Sequence, residues 1–480
     1  MKERVLLQGV VSEVLFPNKG KLIPAEKQPP ITEADSSAGI LYVEPTKTYG
    51  PLNMKNVLPQ QTWLVSTHKK GKRSHEAYPV RLLQPAPYEI DPPCPHAASC
   101  GGCSYQTVPY EIQAQWKEQQ VKTLLAPVPG IAKAQWFPLV HSPLTLAYRN
   151  KMEFSFGDAE KDGPLTLGLH KRGAAHDIIS VSNCQLVHPD IRLILAQTES
   201  FFRASGLPYY RTRSHEGILR HLVVRRSFAT GDVLVNLVTT SGIAGNEALL
   251  ADYVQSLLNL PLTGQIGGVL HTTNDTLGDV VQKDEMQVLY GEPALMERLL
   301  GLDFKIFPFS FFQTNTLGAE KLYSIVREFA GDVSGKTVFD LYCGTGTIAQ
   351  VMAAAGAKEV TGIELVAEAI DAAKENAALN GLDNCHFLAG DVLALVDTLE
   401  SKPDLIVLDP PRDGINPKAL PKILAYEPDQ FIYVSCKPTS LVRDLPAFVE
   451  AGYEIQQVRC CDMFPMTVHV ETVCLLSRNQ

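Results

Sequence analysis

From about residue 330 onward, apolar strand-like runs alternate with helical stretches, and no other feature of the 480-residue chain restricts its fold as tightly. The runs fall at 337–341, 359–363, 405–408 and 431–434, with helices predicted to run through residue 355 and through residue 380. Strands that alternate with helices give a parallel, doubly wound sheet whose ligand crevice opens beyond the C-terminal ends of the strands. The chemistry-bearing residues of this half stand at those ends, so the reaction is expected along one edge of one sheet.

The first strand closes in Asp340-Leu341-Tyr342-Cys343-Gly344-Thr345-Gly346-Thr347, a glycine turn that lets backbone approach a ligand closely at a helix N-terminus. Glu364 ends the second strand about 20 residues on, where a carboxylate accepts both hydroxyls of a ribose. On this geometry alone an adenine dinucleotide remains an alternative. Against it, the turn lacks the third glycine, while Asp391 and Asp409 close later strands and Pro410-Pro411-Arg412 follows the latter. An acidic series with a Pro-Pro step is associated with S-adenosylmethionine methyltransferases. The two prolines also remove two backbone donors and stiffen a loop that can position a flat base.

Cys436 comes directly after the last apolar run, and Pro438 and Thr439 should open a helix through residue 448. A helix N-terminus and a nearby cation such as Lys437 are expected to lower the thiol from its ordinary pKa of roughly 8.5. With Glu471 in His469-Val470-Glu471 as a base, this makes a nucleophile and a proton acceptor behind a cofactor-binding unit. Carbon 5 of uracil is too poor a nucleophile to attack a methyl sulfonium directly. Thiolate addition at carbon 6 turns the ring into an enolate whose carbon 5 is reactive, splitting one hard step into two. Removal of the carbon 5 proton by a positioned base is typically worth on the order of 10²- to 10⁴-fold. Cys343, Cys385, Cys460, Cys461 and Cys474 lack a comparable setting and read as structural.

The chain is too long for one hydrophobic core, so two or three domains are expected. Residues 1–90 hold short β-like runs at 5–15, 40–43 and 63–66 broken by Pro- and Gly-rich turns, which predicts a small β-rich module. Residues 17–55 read irregularly within it. A helix is predicted at 109–125, and 140–290 mixes short strands with helices near 190–205 and 244–259. No apolar stretch of roughly 18 residues or more occurs and no leader pattern opens the chain, so a cytoplasmic protein without a membrane partner is expected. Ten irregularly spaced cysteines suit a reducing compartment better than a disulfide framework. A net charge of −9 argues against wholesale nucleic-acid binding. Contact must then come from local patches: Lys69, Lys70, Lys72 and Arg73, or Arg211, Arg213, Arg220, Arg225 and Arg226 around His215 and His221.

Taken together, these residues resemble the RNA uracil-5-methyltransferases, specifically the branch that carries an iron-sulfur cluster. The resemblance covers roughly residues 55–478. Its signposts are Cys94, Cys100, Gly101-Gly102-Cys103, Tyr148-Arg149-Asn150-Lys151, Asn183-Cys184, Phe311-Phe312-Gln313-Thr314-Asn315, Asp340 to Gly346, Asp409 to Arg412, Ser435-Cys436 and Glu471. It implies that Cys436 is the nucleophile and Glu471 the base. It implies too that Gln313, Tyr342, Glu364 and Asp409 hold S-adenosyl-L-methionine, with Asp391 at the adenine side. Tyr342 stands where some members have Phe. The implied domains are a TRAM- or OB-like RNA-binding barrel over 1–90, atypical in its irregular 17–55, a central α+β iron-sulfur domain over 91–300, and a Rossmann-like catalytic domain over 301–480. Members flip the target uracil out of its RNA fold, which costs a few kcal/mol and least in a loop. Ribosomal RNA of the large subunit is favoured over transfer RNA as the substrate, and a monomer suffices.

The cysteine cluster also reads without the family. Cys94, Cys100 and Cys103 lie close together with a Gly-Gly step for a tight turn, and Cys184 is the best fourth thiolate. The spacing differs from ferredoxin runs and from paired Cys-x-x-Cys sites, leaving zinc held by four thiolates as the rival. The resemblance points instead to a 4Fe-4S cluster in a structural or RNA-positioning role, because the methylation needs no electron. Two other functions stay in view. A methyltransferase acting on protein or on an exocyclic nitrogen would keep activity in Cys436→Ala, and a noncatalytic iron-sulfur RNA-binding protein would be indifferent to loss of Glu471.

Overall fold

The computed structural model describes residues 4–25, 49–68, 75–174, 176–278, 285–399 and 401–478. They form two compact units, Met1–Pro92 with Ser104–Leu124, and Pro93–Cys103 with Leu125–Gln480. Among the described residues no helix is long and apolar enough to cross a membrane.

In the first unit, β1 (Arg4–Leu15) is long enough to pair along both its edges, with β2 (Lys19–Pro24) and β4 (Thr62–His68). With β3 (Leu52–Lys55) and β5 (Ala77–Gln84) they form an antiparallel sheet in the order β3-β2-β1-β4-β5. A bridge from Asn53 to Glu76 joins its two ends, so the sheet curls round a core of Val5, Leu7, Val11, Leu22, Met54 and Val65. Strands at 19–24 and 52–55 differ from the irregular course expected for 17–55. They are short, and their alternation is legible only against β1: Leu22 and Leu52 face the core while Lys21 and Asn53 face out. The predicted run at 40–43 and the Lys69 to Arg73 patch lie outside the described residues. Helix α1 (Tyr110–Leu125) completes the unit, with Trp116 edge-on to Tyr88 and Tyr105.

The second unit holds two larger sheets. After β6 (Gln135–Val140) come β7 (Lys151–Gly157), β8 (Thr166–His170), β9 (Ile178–Ser180), α2 (Pro189–Ser205), β10 (Leu219–Arg226), β11 (Asp232–Thr239), α3 (Glu247–Leu258), β12 (Gln265–Thr273) and β13 (Glu285–Gly291). They build a seven-stranded sheet in the order β13-β12-β11-β10-β7-β8-β9, in which only β11 and β12, joined across α3, run parallel. A hairpin of β14 (Leu295–Leu299) and β15 (Leu302–Ile306) then leads into the last third of the chain.

That third supplies α4 (Thr316–Ala330), β16 (Thr337–Leu341), α5 (Thr347–Ala354), β17 (Glu359–Glu364), α6 (Ala367–Leu379), β18 (Cys385–Ala389), α7 (Val392–Leu395), β19 (Leu405–Leu408), α8 (Leu420–Leu424), β20 (Gln430–Ser435), α9 (Pro438–Glu450), β21 (Tyr453–Cys461) and β22 (Glu471–Arg478). The eight-stranded order is β18-β17-β16-β19-β20-β22-β21-β6. Five neighbouring strands from β18 to β20 are parallel and β22 is antiparallel to both of its partners. The inner strands are apolar without alternation because helices cover both faces: Phe339, Leu341, Ile406, Val407 and Ile432 have no exposed surface. The result is a mixed α/β fold with a doubly wound half. The chain winds outward from β16 through β18 and returns to β19 on the other side of β16, so the crevice opens at that reversal. β6, drawn from a stretch expected to lie in the central domain, forms the outer edge of this sheet beside β21.

Candidate active site

Five parallel strands deliver side chains to the same rim. At the end of β16 the chain turns through Tyr342, whose φ of 68° is left-handed, and then through Gly344 and Gly346 at 56° and 71°. A side chain on Gly346 would run into the Phe387 ring at 2.6 Å, so the turn requires glycine there. Buried Asp340 stabilises the turn by accepting the Ala349 N–H at 2.8 Å in the first turn of α5. Glu364 closes β17 and accepts the N–H of Gly344 at 3.1 Å and of Val366 at 3.1 Å, which aims its carboxylate at the mouth of the glycine turn. Asp391, exposed beyond β18, caps α7 by accepting from the Leu393 N–H at 2.9 Å.

Across the reversal, Asp409 follows β19 and Cys436 follows β20. Strand register brings the base to the nucleophile. Ser435 pairs with Thr472 in the antiparallel β20–β22 ladder, so Cys436, one residue beyond Ser435, and Glu471, one residue before Thr472, meet at the crevice edge. Glu471 also pairs with Cys461 on its other side and is buried. Gln313 arrives from the loop before α4, and its side chain is hydrogen-bonded to the phenol of Tyr323. The same loop is fixed by Asn150, whose amide donates to the Gln313 carbonyl at 3.0 Å and to the Thr316 hydroxyl at 2.7 Å. Asn315 accepts the Gly318 N–H at 2.9 Å and caps α4. Thus Tyr342, Glu364, Asp409 and Cys436 end or follow the parallel strands at one edge of the sheet, with Glu471 and Gln313 brought beside them and Asp391 beyond β18.

The electrostatics of this rim are unusual. Burial pushes the Asp409 carboxyl up to about 7. Burial, with Asp409 adding to it and Arg412 opposing, carries Glu471 up to about 8. The Asp340 carboxyl is likewise driven well above the usual carboxylate range by burial and by Asp409. Cys436 departs from the sequence expectation: its thiol is raised to about 11, not lowered. Burial is the main cause, the neighbouring Glu471 and Asp409 add to it, and Arg412 is the cation that opposes them. A strand end and a following Lys437 are visible in a sequence, whereas two carboxylates brought in by strand register are not. Tyr342 rises to about 12 through burial, against a backbone hydrogen bond from Asn416.

Sequence reasoning missed Tyr323, because a tyrosine two helical turns into α4 carries no motif. Its hydroxyl is fully buried next to Gln313, and Asp409, Asp340 and Glu471 all act on it electrostatically. The arginine patch also needs correcting. Arg225 is buried, donates to the carbonyls of Pro308 and Ser310, and is lowered to about 10 by burial. Arg220 donates to the carbonyls of Asn274, Thr276 and Gly278, and Arg226 pairs with Asp190 at 3.0 Å. These three brace loops from inside, and His221 is buried beside Ser155, so of the patch only Arg211, Arg213 and His215 stand near the surface. Arg211 pairs there with Asp162.

The four cysteines Cys94, Cys100, Cys103 and Cys184 gather at one end of the seven-stranded sheet. The loop that carries the first three is docked on the end of β8: the Gly101 N–H donates to His170 O at 3.1 Å, and Arg172 donates to the carbonyls of Ala97 at 3.1 Å and Cys103 at 2.7 Å. The Gly102 N–H donates to the Cys100 sulfur at 3.3 Å. Burial raises the thiols of Cys100 and Cys184, and Cys94 adds to both. Even so, among the described residues no group of three or more His, Cys, Asp or Glu side chains is placed to hold a metal ion.

Comparison with known proteins gives this arrangement a context. Residues 301–479 match the tRNA (uracil-5-)-methyltransferase family. An RNA methyltransferase of uncharacterised activity from Clostridium tetani is 47% identical over 443 residues, covering 92% of this chain and 95% of the relative. A similar protein from Caldanaerobacter subterraneus is also 47% identical, over 86% of this chain and 90% of its own. Among solved structures, the Pyrococcus abyssi tRNA (uracil-54, C5)-methyltransferase in complex with S-adenosyl-L-homocysteine shares the fold, with a TM-score of 0.73 at 23% identity over 98% of this chain and 99% of that one.

Proposed function

The chain belongs to the RNA uracil-5-methyltransferase family and is an S-adenosylmethionine-dependent RNA methyltransferase, and from that premise we propose that it methylates carbon 5 of a uridine through a covalent adduct on Cys436. The observation that carries the reading is the register of β20 against β22, which sets a thiol and a buried carboxyl side by side at the crevice where parallel strands end.

The glycine turn, Glu364 and Gln313 suit the methyl donor: close backbone approach at Gly344 and Gly346, and a carboxylate at the end of the second strand for ribose hydroxyls. When bound there, S-adenosylmethionine supplies an electrophilic methyl group. In the free protein Cys436 is a thiol and Glu471 largely a carboxylic acid at neutral pH, and both must lose a proton before turnover. Arg412 is the cation that favours both losses. The Cys436 sulfur then bonds to carbon 6 of the uracil, and the electron pair of the 5,6 double bond moves into the enolate. After carbon 5 has taken the methyl group, the Glu471 carboxylate accepts the carbon 5 proton. The resulting electron pair re-forms the double bond and expels Cys436 as thiolate, and Glu471 later releases its proton to solvent. Burial, with Asp409 adding to it, keeps Glu471 basic enough to accept that proton near neutral pH.

Cys94, Cys100, Cys103 and Cys184 are read as ligands of a 4Fe-4S cluster in a structural role. Four thiols in one neighbourhood, one of them accepting a backbone N–H, support this. A single zinc ion held by the same four thiolates is the rival reading. Protein purified without oxygen should contain iron and sulfide in equal amounts and absorb broadly in the visible range; zinc without iron would overturn the assignment. Ribosomal RNA is the first substrate to test. The transfer-RNA description of the matched family supports the second reading. Incubation with labelled S-adenosylmethionine and each unmodified RNA, with mapping of 5-methyluridine in nuclease fragments, decides between them. A methyl group on any atom other than uracil carbon 5 would end the proposal.

A further inference from the structure

The loop that carries Arg412 and the helix that follows Cys436 are tied together by a buried carboxylate that nothing so far has used. Asp444, in the second turn of α9, is 3% exposed. One of its oxygens accepts the Ile415 N–H at 3.0 Å and the Tyr433 hydroxyl at 2.7 Å, and the other accepts Arg443 Nε at 2.6 Å. Arg443 also donates through Nη2 to the Ile415 carbonyl at 3.2 Å, so the pair grips both polar groups of one peptide residue. Gly414, with φ at 73°, packs directly on the grip: a side chain there would meet Arg443 Nη2 at 2.4 Å and Asp444 Oδ2 at 2.5 Å. The Gly414 N–H closes the turn onto Pro411 O at 2.7 Å.

The other end of the network reaches the nucleophile's own loop. Ser440, one turn before Asp444, is 3.1 Å from the Ser435 hydroxyl and donates to Lys437 O at 2.8 Å, bracketing Cys436 on both sides. Tyr433, on β20, contacts Asp444 and Ser440 together. On the far side of the gripped segment, the Asn416 backbone bonds to the Tyr342 phenol. Segment 411–416 therefore spans from Tyr342 to Cys436, and it carries Arg412, the cation that opposes Glu471 and Asp409 at the thiol.

We propose that Asp444 is a positioning residue for the methyl transfer: with Arg443 it locks segment 411–416 onto the helix behind Cys436 and so holds Arg412 beside Cys436 and Glu471. Two points separate this from ordinary packing. The Arg443 side chain is 49% exposed, so the grip adds little to the core. Its contacts run between the two loops of the rim, not along one element. The inference rests on Cys436 as the nucleophile.

The titratable groups facing Cys436 are Glu471, Asp409 and Arg412, and those facing the grip are Tyr433, Arg443 and Asp413. Loosening the segment withdraws Arg412 on average and leaves the carboxylates in place, so the thiol should become harder to ionise. The test uses the full-length protein as Asp444→Asn and as Arg443→Met, the latter at a half-exposed site that should fold. Alkylation of Cys436 by iodoacetamide is followed by peptide mass spectrometry across pH, beside kcat and the melting temperature. Both variants should show the alkylation profile moved to higher pH, with roughly three- to tenfold slower alkylation at a fixed pH below the midpoint. kcat should fall in the same order, Asp444→Asn more than Arg443→Met. Folded variants with the wild-type profile and kcat overturn the proposal, and if Asp444→Asn does not fold, an unchanged profile in Arg443→Met does so alone. A Cys436→Ala protein that still methylates RNA overturns the nucleophile reading instead, a result independent of the alkylation profile.

Discussion

At the start of α2, beside the seven-stranded sheet, Asp190 is buried yet accepts hydrogen bonds from Arg226 Nε at 3.0 Å, the Thr263 N–H at 2.9 Å and the Gly264 N–H at 3.1 Å. Burial opposes its ionisation, but those donors outweigh it and hold the carboxyl below the usual range. Glu297 is satisfied in the same way by the N–H groups of Phe228 and Ala229 and the Thr316 hydroxyl. At the crevice rim the same residue types are buried without such donors, and Asp409 and Glu471 rise to about 7 and about 8. The difference teaches how to tell a structural acid from a chemical one. A buried carboxylate with a full set of donors braces loops, whereas one left short of donors awaits a partner or a proton.

The largest effect should separate the two regions outright. Cys436→Ala is expected to reduce methyl transfer to background with an unchanged melting temperature, measured by labelled-methyl incorporation and thermal unfolding; residual turnover would break the contrast at its chemical end. Glu471→Gln should cost roughly 10²- to 10⁴-fold in turnover. In the wild type, kcat/KM should climb as pH approaches about 8, where Glu471 becomes the carboxylate that accepts a proton. Asp190→Ala tests the other region. Removing the carboxylate strands the partly buried Arg226 and should cost about 3 kcal/mol of stability in denaturant titrations, with kcat nearly unchanged per folded molecule.

The smallest effect sharpens the comparison through its sign. Asp190 has a depressed folded pKa, so its contribution is present at neutral pH and is lost as pH falls through the folded value. Glu471 has a raised one, so its contribution is full below its unfolded pKa and is lost as pH rises through about 8. Glu471→Gln should therefore stabilise the protein by about 1 to 3 kcal/mol at pH 9 and by much less at pH 5. Equal effects at both pH values would contradict the raised carboxyl.

The doubly wound half was legible because its strands are continuous apolar runs bounded by Gly, Asp and Pro: the runs at 337–341 and 405–408 coincide with β16 and β19. Cys436 and Glu471 could be picked out as residues at element ends. Their meeting depends on the β20–β22 register, which no local pattern encodes. The acidity of the thiol could not be read for the same reason, since it is raised first by burial and then by carboxylates 27 and 35 positions away in the chain. Arg220, Arg225 and Arg226 read as a surface patch because sequence shows charge and not depth; the carbonyls and the carboxylate that bind them come from distant loops.

The central claim, a covalent bond between Cys436 and the target uracil, is tested most directly by stalling its release. Glu471→Gln incubated with S-adenosylmethionine and the RNA substrate should accumulate a protein–RNA adduct stable to denaturing gels, with a methylated uracil linked to Cys436 in the digested peptide. Formation of 5-methyluridine by the wild type, with no adduct at Cys436 in Glu471→Gln and with activity retained in Cys436→Ala, would contradict the account.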